Sequence, residues 1–376
     1  MIDCRDFCES LDRQGISFFA GVPDSLLKSF CAYLTENIPQ DQHIVTPNEG
    51  NAVALATGYH LATGKAALVY MQNSGLGNAV NPLTSLADKK VYSIPMLLLI
   101  GWRGEPAKTD EPQHVKQGEI TPQLLDLLDI PYQVLSASMT SVYEIVANGV
   151  DYLSKHSSPY ALVARRDTFL PHESLSEPES AYHLIREEVI RALVEQLSED
   201  AVVVSTTGRA SRELFEVREV LGQTHERDFL TIGSMGHCSQ IALGIALQKP
   251  DRQVYCFDGD GSLIMHMGSL ASIGVRSLGN FRHVVFNNGV HESVGGQPSD
   301  GFDVDFCTIA EACGYQHVVR VDDDKTLREK IAWMRTIEGP VLVEIRLRSS
   351  PRDSLGRPTT SLIENKERFM ECLQQH

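Results

Sequence analysis

Asp260 and Asn288 are the residues whose types and placement specify chemistry most directly. Val254-Tyr255-Cys256-Phe257 reads as a buried strand and runs into Asp258-Gly259-Asp260-Gly261-Ser262. Residues 263–279 read as helix, His283–Phe286 as the next strand, and Asn287-Asn288-Gly289 follows at its end. A carboxylate and an amide oxygen at the C-terminal ends of two strands joined by one crossover lie where open α/β sheets bind ligands. With a loop carbonyl, here that of Val290, they form an oxygen set suited to a hard cation such as Mg²⁺. Gly259 and Gly261 let the backbone approach a diphosphate closely. The expected helix after Gly261, beginning near Ser262, would turn its first N–H groups toward the same anion. An Asp-Gly turn or an Asn-Asn-Gly turn alone is commonplace; the shared strand context joins the two.

Positioning such groups needs a regular scaffold, and strands and helices alternate along the whole chain. Short apolar runs at Phe18–Ala20, Ala66–Met71, Met96–Ile100, Ala201–Ser205, Val254–Phe257, Val284–Phe286 and Val341–Ile345 read as strands buried on both faces. Leu26–Leu34, Ala52–His60, Leu184–Leu197 and Ile241–Leu247 read as the helices between them. This alternation predicts doubly wound parallel sheets of the α/β class. Leu170–Ala181 (LPHESLSEPESA) is rich in Pro, Ser and Glu without apolar periodicity, which marks a linker. The expected division is a domain over 1–170, a linker over 171–181 and a second domain over 182–376. The two halves show no close internal sequence repeat.

Composition narrows the function. The 376 residues suffice for two ordinary α/β domains, with 42% hydrophobic and 22% charged residues, as in ordinary globular proteins. No apolar run reaches the ~18 residues of a membrane helix. The first residues carry no basic stretch followed by an apolar one. Eight cysteines without a CxxC pair read as reduced, mostly buried thiols, so a cytoplasmic location is expected. A net charge of −16 argues against nucleic acid as a partner and leaves room for a small anionic substrate in a locally positive pocket.

The Asp258–Ser262 and Asn287–Asn288 segments resemble the GDG…NN motif of thiamine-diphosphate-dependent enzymes. Gly233-Ser234-Met235-Gly236-His237-Cys238-Ser239 resembles the family segment that places a bulky apolar side chain under the bent cofactor, which points to Met235 flanked by Gly236 and His237. Thr206-Thr207-Gly208-Arg209 is similar to another diphosphate-side loop, through Thr207 and Gly208. Pro47–Tyr59 (PNEGNAVALATGY) resembles the segment carrying the carboxylate that hydrogen-bonds the aminopyrimidine, which implies Glu49. Asn73-Ser74-Gly75-Leu76-Gly77-Asn78 resembles the pyrimidine-side glycine loop, implicating Asn73 and Gly75. Within the family, two domains with the pyrimidine half first and no central domain are similar to the phosphonopyruvate and sulfopyruvate decarboxylases. The closer marks of the former are FAGVPDS (19–25), NNGVHESVGGQPS (287–299) and LGRPTTSLIENK (355–366).

The resemblance implies decarboxylation of phosphonopyruvate to phosphonoacetaldehyde and CO₂, with thiamine diphosphate and Mg²⁺ as cofactors. Glu49 would help form the cofactor ylide, and a polar group would protonate the enamine left after CO₂ departs. Ser25 matches a position over the thiazolium, beside Asp24, and His114 resembles an active-site histidine segment. Arg103, Lys108, Arg352 and Arg357 are cation candidates for the phosphonate, and His291 and Glu292 follow the metal loop. A homodimer or larger assembly with sites between subunits is also implied. Sulfopyruvate decarboxylation and carboligation remain open within this chemistry. A Rossmann-type dehydrogenase lacks its GxGxxG followed by an acidic residue. A non-catalytic thiamine-diphosphate binder would not need Glu49.

Overall fold

A computed structural model describes residues 1–135, 142–172, 180–352 and 354–375; of the expected linker, residues 173–179 lie outside the described residues. The chain forms two compact units, Met1–Glu177 with Ser293–Gln297, and Pro178–Glu292 with Pro298–His376. The first unit thus takes a short segment from well beyond the expected boundary.

The first unit holds a parallel sheet of β1 (Phe19–Gly21), β2 (His43–Val45), β3 (Ala67–Gln72), β4 (Met96–Gly101), β5 (Tyr132–Leu135) and β6 (Tyr160–Ala164). Their order across the sheet is β2-β1-β3-β4-β6-β5. Every residue of β4 is buried, because helices cover both faces. The strands sort their side chains by alternation. Leu68, Tyr70, Leu97, Leu99 and Leu162 pack into one core. Val69, Met71, Leu98, Ile100 and Val163 pack into the other.

The second unit repeats the plan with β7 (Val202–Ser205), β8 (Asp228–Leu230), β9 (Val254–Gly259), β10 (Phe281–Asn287), β11 (His317–Val321) and β12 (Val341–Arg346). Read from β8, its order is β8-β7-β9-β10-β12-β11, the order of the first sheet position by position. Here Val203, Tyr255, Phe257, Val284 and Val343 face one core. Val202, Val204, Cys256, Val285 and Leu342 face the other. The sequence lacks a close repeat because an alternating apolar pattern can be satisfied by many residues, while the topology needs only the pattern.

Several boundaries differ from expectation. The helix expected over 263–279 is two helices, Asp260–Met265 and Ser269–Arg276, broken at His266, where the backbone leaves helical angles. The first begins at Asp260, with Gly259 as its N-cap, earlier than the start near Ser262 expected from the glycines. The helix expected at Ile241–Leu247 starts at Cys238, and that expected at Leu26–Leu34 runs Lys28–Asn37. All eight cysteines are free thiols, five of them buried. Among the described residues no helix is long and apolar enough to cross a membrane.

Candidate functional site

In both units the candidate residues sit near the C-terminal ends of strands around the point where the strand order reverses, the usual crevice of such sheets. In the first unit this point lies between β1 and β3. Glu49 is the first residue of the helix Glu49–Thr63, whose N-cap Asn48 accepts the Asn51 N–H at 3.0 Å. That places the Glu49 carboxylate in the first turn, and the fold buries it to 5% exposure. Asn78 Nδ2 donates to Glu49 Oε2 at 2.7 Å. Gly75 faces the other side of the carboxylate, and a Cβ there would overlap it. Gly75 is therefore needed for its missing side chain.

Asn73 is wholly buried, and its amide ties two loops together. It donates to the Arg103 carbonyl at 2.8 Å and to Thr121 Oγ1 at 2.9 Å, and it accepts the Arg103 N–H at 3.1 Å. At the end of β1, Asp24 is completely buried and accepts the Leu26 N–H at 3.1 Å. Burial pushes its carboxyl up to about 6, although the Arg103 charge and neighbouring backbone N–H groups pull the other way. Ser25 is only partly buried, and Arg103 Nη1 donates to its Oγ at 2.8 Å. Asp110, at 7% side-chain exposure, grips the same guanidinium through both oxygens. Burial alone would raise the Asp110 carboxyl; the Arg103 fork and the Gly104 N–H outweigh it and bring it down to about 2. His114 lies in the first turn of the helix Pro112–Leu127. Burial, helped by the Arg103 charge, lowers its imidazole to about 4, so it is neutral at pH 7.

In the second unit the same reversal lies between β7 and β9. Asp260 is 4% exposed, and its Oδ2 accepts from the Gly289 N–H at 3.1 Å and from the Ser299 hydroxyl. Burial pushes its carboxyl up to about 6 against those donors. Among the described residues no basic side chain pairs with it. A buried carboxylate without a cationic side chain suits a metal ion, which supplies the missing positive charge. Asn288, 6% exposed, turns its Oδ1 toward the Val290 N–H at 3.3 Å. Asp260, Asn288 and Val290 are thus neighbours in one loop system, and all are oxygen donors.

Ser262 joins three loops of this unit. Its Oγ accepts from the Gly236 N–H at 3.1 Å and meets Thr206 Oγ1 at 3.0 Å. The Gly236 backbone has φ +85°, and a Cβ there would press on the His266 ring. Met235 and His291 flank Gly261, where a Cβ would come within 3.5 Å of the Met235 methyl and 2.7 Å of the His291 ring. Gly208, at φ +93°, caps the helix Arg209–Val220 just after the partly exposed Thr207. Gly259 has open space where a side chain would stand, apart from a methyl of Thr206 at 4.0 Å. His237 is exposed, with its ring 4.4 Å from that of His266.

The outlying candidates separate. Lys108 and Arg357 are exposed. Arg352 is paired with Glu187 and Glu216. Glu292 is bound by Arg186 at 2.5 Å and by the Ser350 N–H at 3.0 Å, which makes it part of an ion-pair network. Burial lowers His291 to about 4. Sequence reasoning missed Asn78, Asp110, Ser299 and His266. Asn78 and Ser299 lie in segments already singled out, so their spacing was the available signal. Asp110 gave none, because its partner is fixed only by the folded loop.

Residues 5–126 match the thiamine pyrophosphate enzyme N-terminal TPP-binding domain, and residues 207–345 match the C-terminal TPP-binding domain. Phosphonopyruvate decarboxylase of Streptomyces viridochromogenes is 35% identical over 98% of this chain and 94% of its own length. Sulfopyruvate decarboxylase of Methanosarcina acetivorans is 26% identical over 97% of this chain and 96% of its own. Sulfopyruvate decarboxylase subunit beta of Methanococcus maripaludis is 31% identical over 51% of this chain and 99% of its own length. With both binding domains matched and a relative this similar end to end, the chain belongs to the thiamine-pyrophosphate enzymes, in the branch of the decarboxylases.

Proposed function

We propose that this protein decarboxylates phosphonopyruvate to phosphonoacetaldehyde and CO₂, within phosphonate biosynthesis, using thiamine diphosphate and Mg²⁺. The observation that carries the catalytic reading is Glu49, a buried carboxylate oriented by Asn78 and left room by Gly75. The choice of substrate rests on the full-length likeness to phosphonopyruvate decarboxylase.

Bound thiamine diphosphate supplies a carbon nucleophile and an electron sink for the loss of CO₂. The protein's part is to hold protons and orient groups. Glu49 would hydrogen-bond the pyrimidine ring and hold the proton that activates it, with Asn78 fixing which oxygen is presented. Asp260, Asn288 and the Val290 carbonyl would hold Mg²⁺. Gly259, Gly261, Ser262, Thr207, Gly208, Gly236 and His237 would line the diphosphate, and Met235 would support the cofactor from below. Asn73 would act through Gly75, by fixing the loop that carries it. Ser25 would face the substrate, with Asp24 and His114 behind it.

The first unit would bind the pyrimidine and the second the diphosphate, with 171–181 as linker. We propose a homodimer or larger assembly in the cytoplasm, with each site completed between two subunits. A relative whose own subunit covers half of this chain supports division into such halves. The test is calorimetric titration of thiamine diphosphate with and without Mg²⁺ into the wild type and Asp260→Asn, alongside CO₂ release by the wild type and Glu49→Gln. The reading requires Mg²⁺-dependent binding that Asp260→Asn weakens, and turnover that Glu49→Gln lowers by about 10²-fold or more. Full turnover by Glu49→Gln would refute it.

A further inference from the structure

We infer that Arg103 serves the reaction by aiming the Ser25 hydroxyl, and not by holding the second anionic group of the substrate. The inference rests on the decarboxylation proposed above. Asp110 accepts from Arg103 Nε at 2.9 Å and from Nη2, and its remaining lone pairs take the Gly104 and Glu111 N–H groups, each at 2.8 Å. The Arg103 backbone is clamped in both directions by the Asn73 amide. The guanidinium therefore cannot swing, and its free arm ends on Ser25 Oγ at 2.8 Å.

Arginine has donors and no acceptor, so Ser25 Oγ must be the acceptor of this bond. That leaves the hydroxyl hydrogen to be donated elsewhere. The neighbouring carboxylate oxygen, Asp24 Oδ1, is 3.5 Å away, too far for a strong bond. Ser25 is also partly exposed while Asp24 is fully buried. The hydroxyl is thus fixed in place with its hydrogen available to a substrate atom.

Charge argues against Arg103 as the anion anchor. Its guanidinium is matched by Asp110 in direct contact and lies near the buried Asp24, so two carboxylates already share one positive charge. A doubly charged phosphonate would meet no net positive field there.

The experiment is a double-mutant cycle on kcat/KM, with Ser25→Ala, Arg103→Ala and the pair, in the presence of both cofactors. Each single change should lower kcat/KM about 10- to 100-fold, and the pair should cost no more than about twofold beyond Ser25→Ala alone, because groups acting as one unit are not additive. Arg103→Lys should recover part of the loss. Asp110→Asn, which loosens the fork by removing the Asp110 charge and leaves the Arg103 guanidinium in place, should show its penalty only when Ser25 is present; it also serves if Arg103→Ala misfolds. A loss confined to KM that persists in Ser25→Ala would overturn the inference and make Arg103 the anion anchor. If no 2-oxo acid turns over, the proposed function fails, and the same cycle is read in denaturant unfolding. Non-additive shifts in the midpoint would then support the Arg103–Ser25 pairing, and additive shifts would overturn it.

Discussion

Glu49 and Asp24 are both buried carboxylates in the first unit, yet their surroundings differ. Glu49 is served by one amide and one glycine, an arrangement that leaves it available to a ring nitrogen. Glu49→Gln should therefore lower turnover by about 10²- to 10⁴-fold, the range for a lost acid–base group, while thiamine diphosphate affinity stays within about tenfold. Kinetics and calorimetry on one preparation check both halves. Asp24 is closed off from solvent, and burial lifts its carboxyl from 3.8 to about 6. The folded chain holds this proton more tightly than the unfolded chain. Asp24 accordingly favours the fold below about pH 4 and loses that contribution as pH rises through about 6. Denaturant unfolding of the wild type and Asp24→Asn across this window should diverge by roughly 3 kcal/mol, the wild type losing ground as pH rises. Parallel curves would show that Asp24 does not titrate there.

Loops at the strand ends decide how these residues meet, and here sequence and structure part company. Asp260 and Asn288 could be placed from the sequence because each directly follows an apolar strand, and a strand end is a fixed address. Glu49 is reached through the resemblance of Pro47–Tyr59 to a family segment; its place as first residue of a helix capped by Asn48, ahead of the helix expected from Ala52, is visible only in the structure. The Arg103–Asp110 fork could not be placed, since nothing in composition or periodicity says which carboxylate a loop arginine will find. The break at His266 was equally hidden; in the folded chain the ring of that residue lies beside the Gly236 loop, distant in sequence. The shared strand order of the two sheets was legible only as an alternation of strand and helix in each half. At this scale Gly75→Ala is the informative change. A Cβ there must push the Glu49 carboxylate aside. Displacement of a catalytic group by about 1 Å costs about 10²-fold, so kcat should fall on that order. The unfolding midpoint should move little, because a side chain can yield where backbone cannot. Unchanged kcat would mean that the space beside Gly75 does not set the carboxylate's position.

For the whole molecule the question is whether two units of identical strand order, one carrying Glu49 and the other Asp260, complete sites across subunits. Mixing Glu49→Ala and Asp260→Ala proteins under conditions that exchange subunits should restore part of the activity that each lacks alone. Mixed oligomers without restored turnover would exclude shared sites. The central claim is the cofactor-dependent decarboxylation of an anionic 2-oxo acid. It is tested most directly by CO₂ release from phosphonopyruvate, sulfopyruvate and pyruvate, each with and without thiamine diphosphate and Mg²⁺. The account predicts that phosphonopyruvate is turned over fastest and only when both cofactors are present; preference for sulfopyruvate would contradict the substrate, and no cofactor-dependent release from any of the three would contradict the account itself.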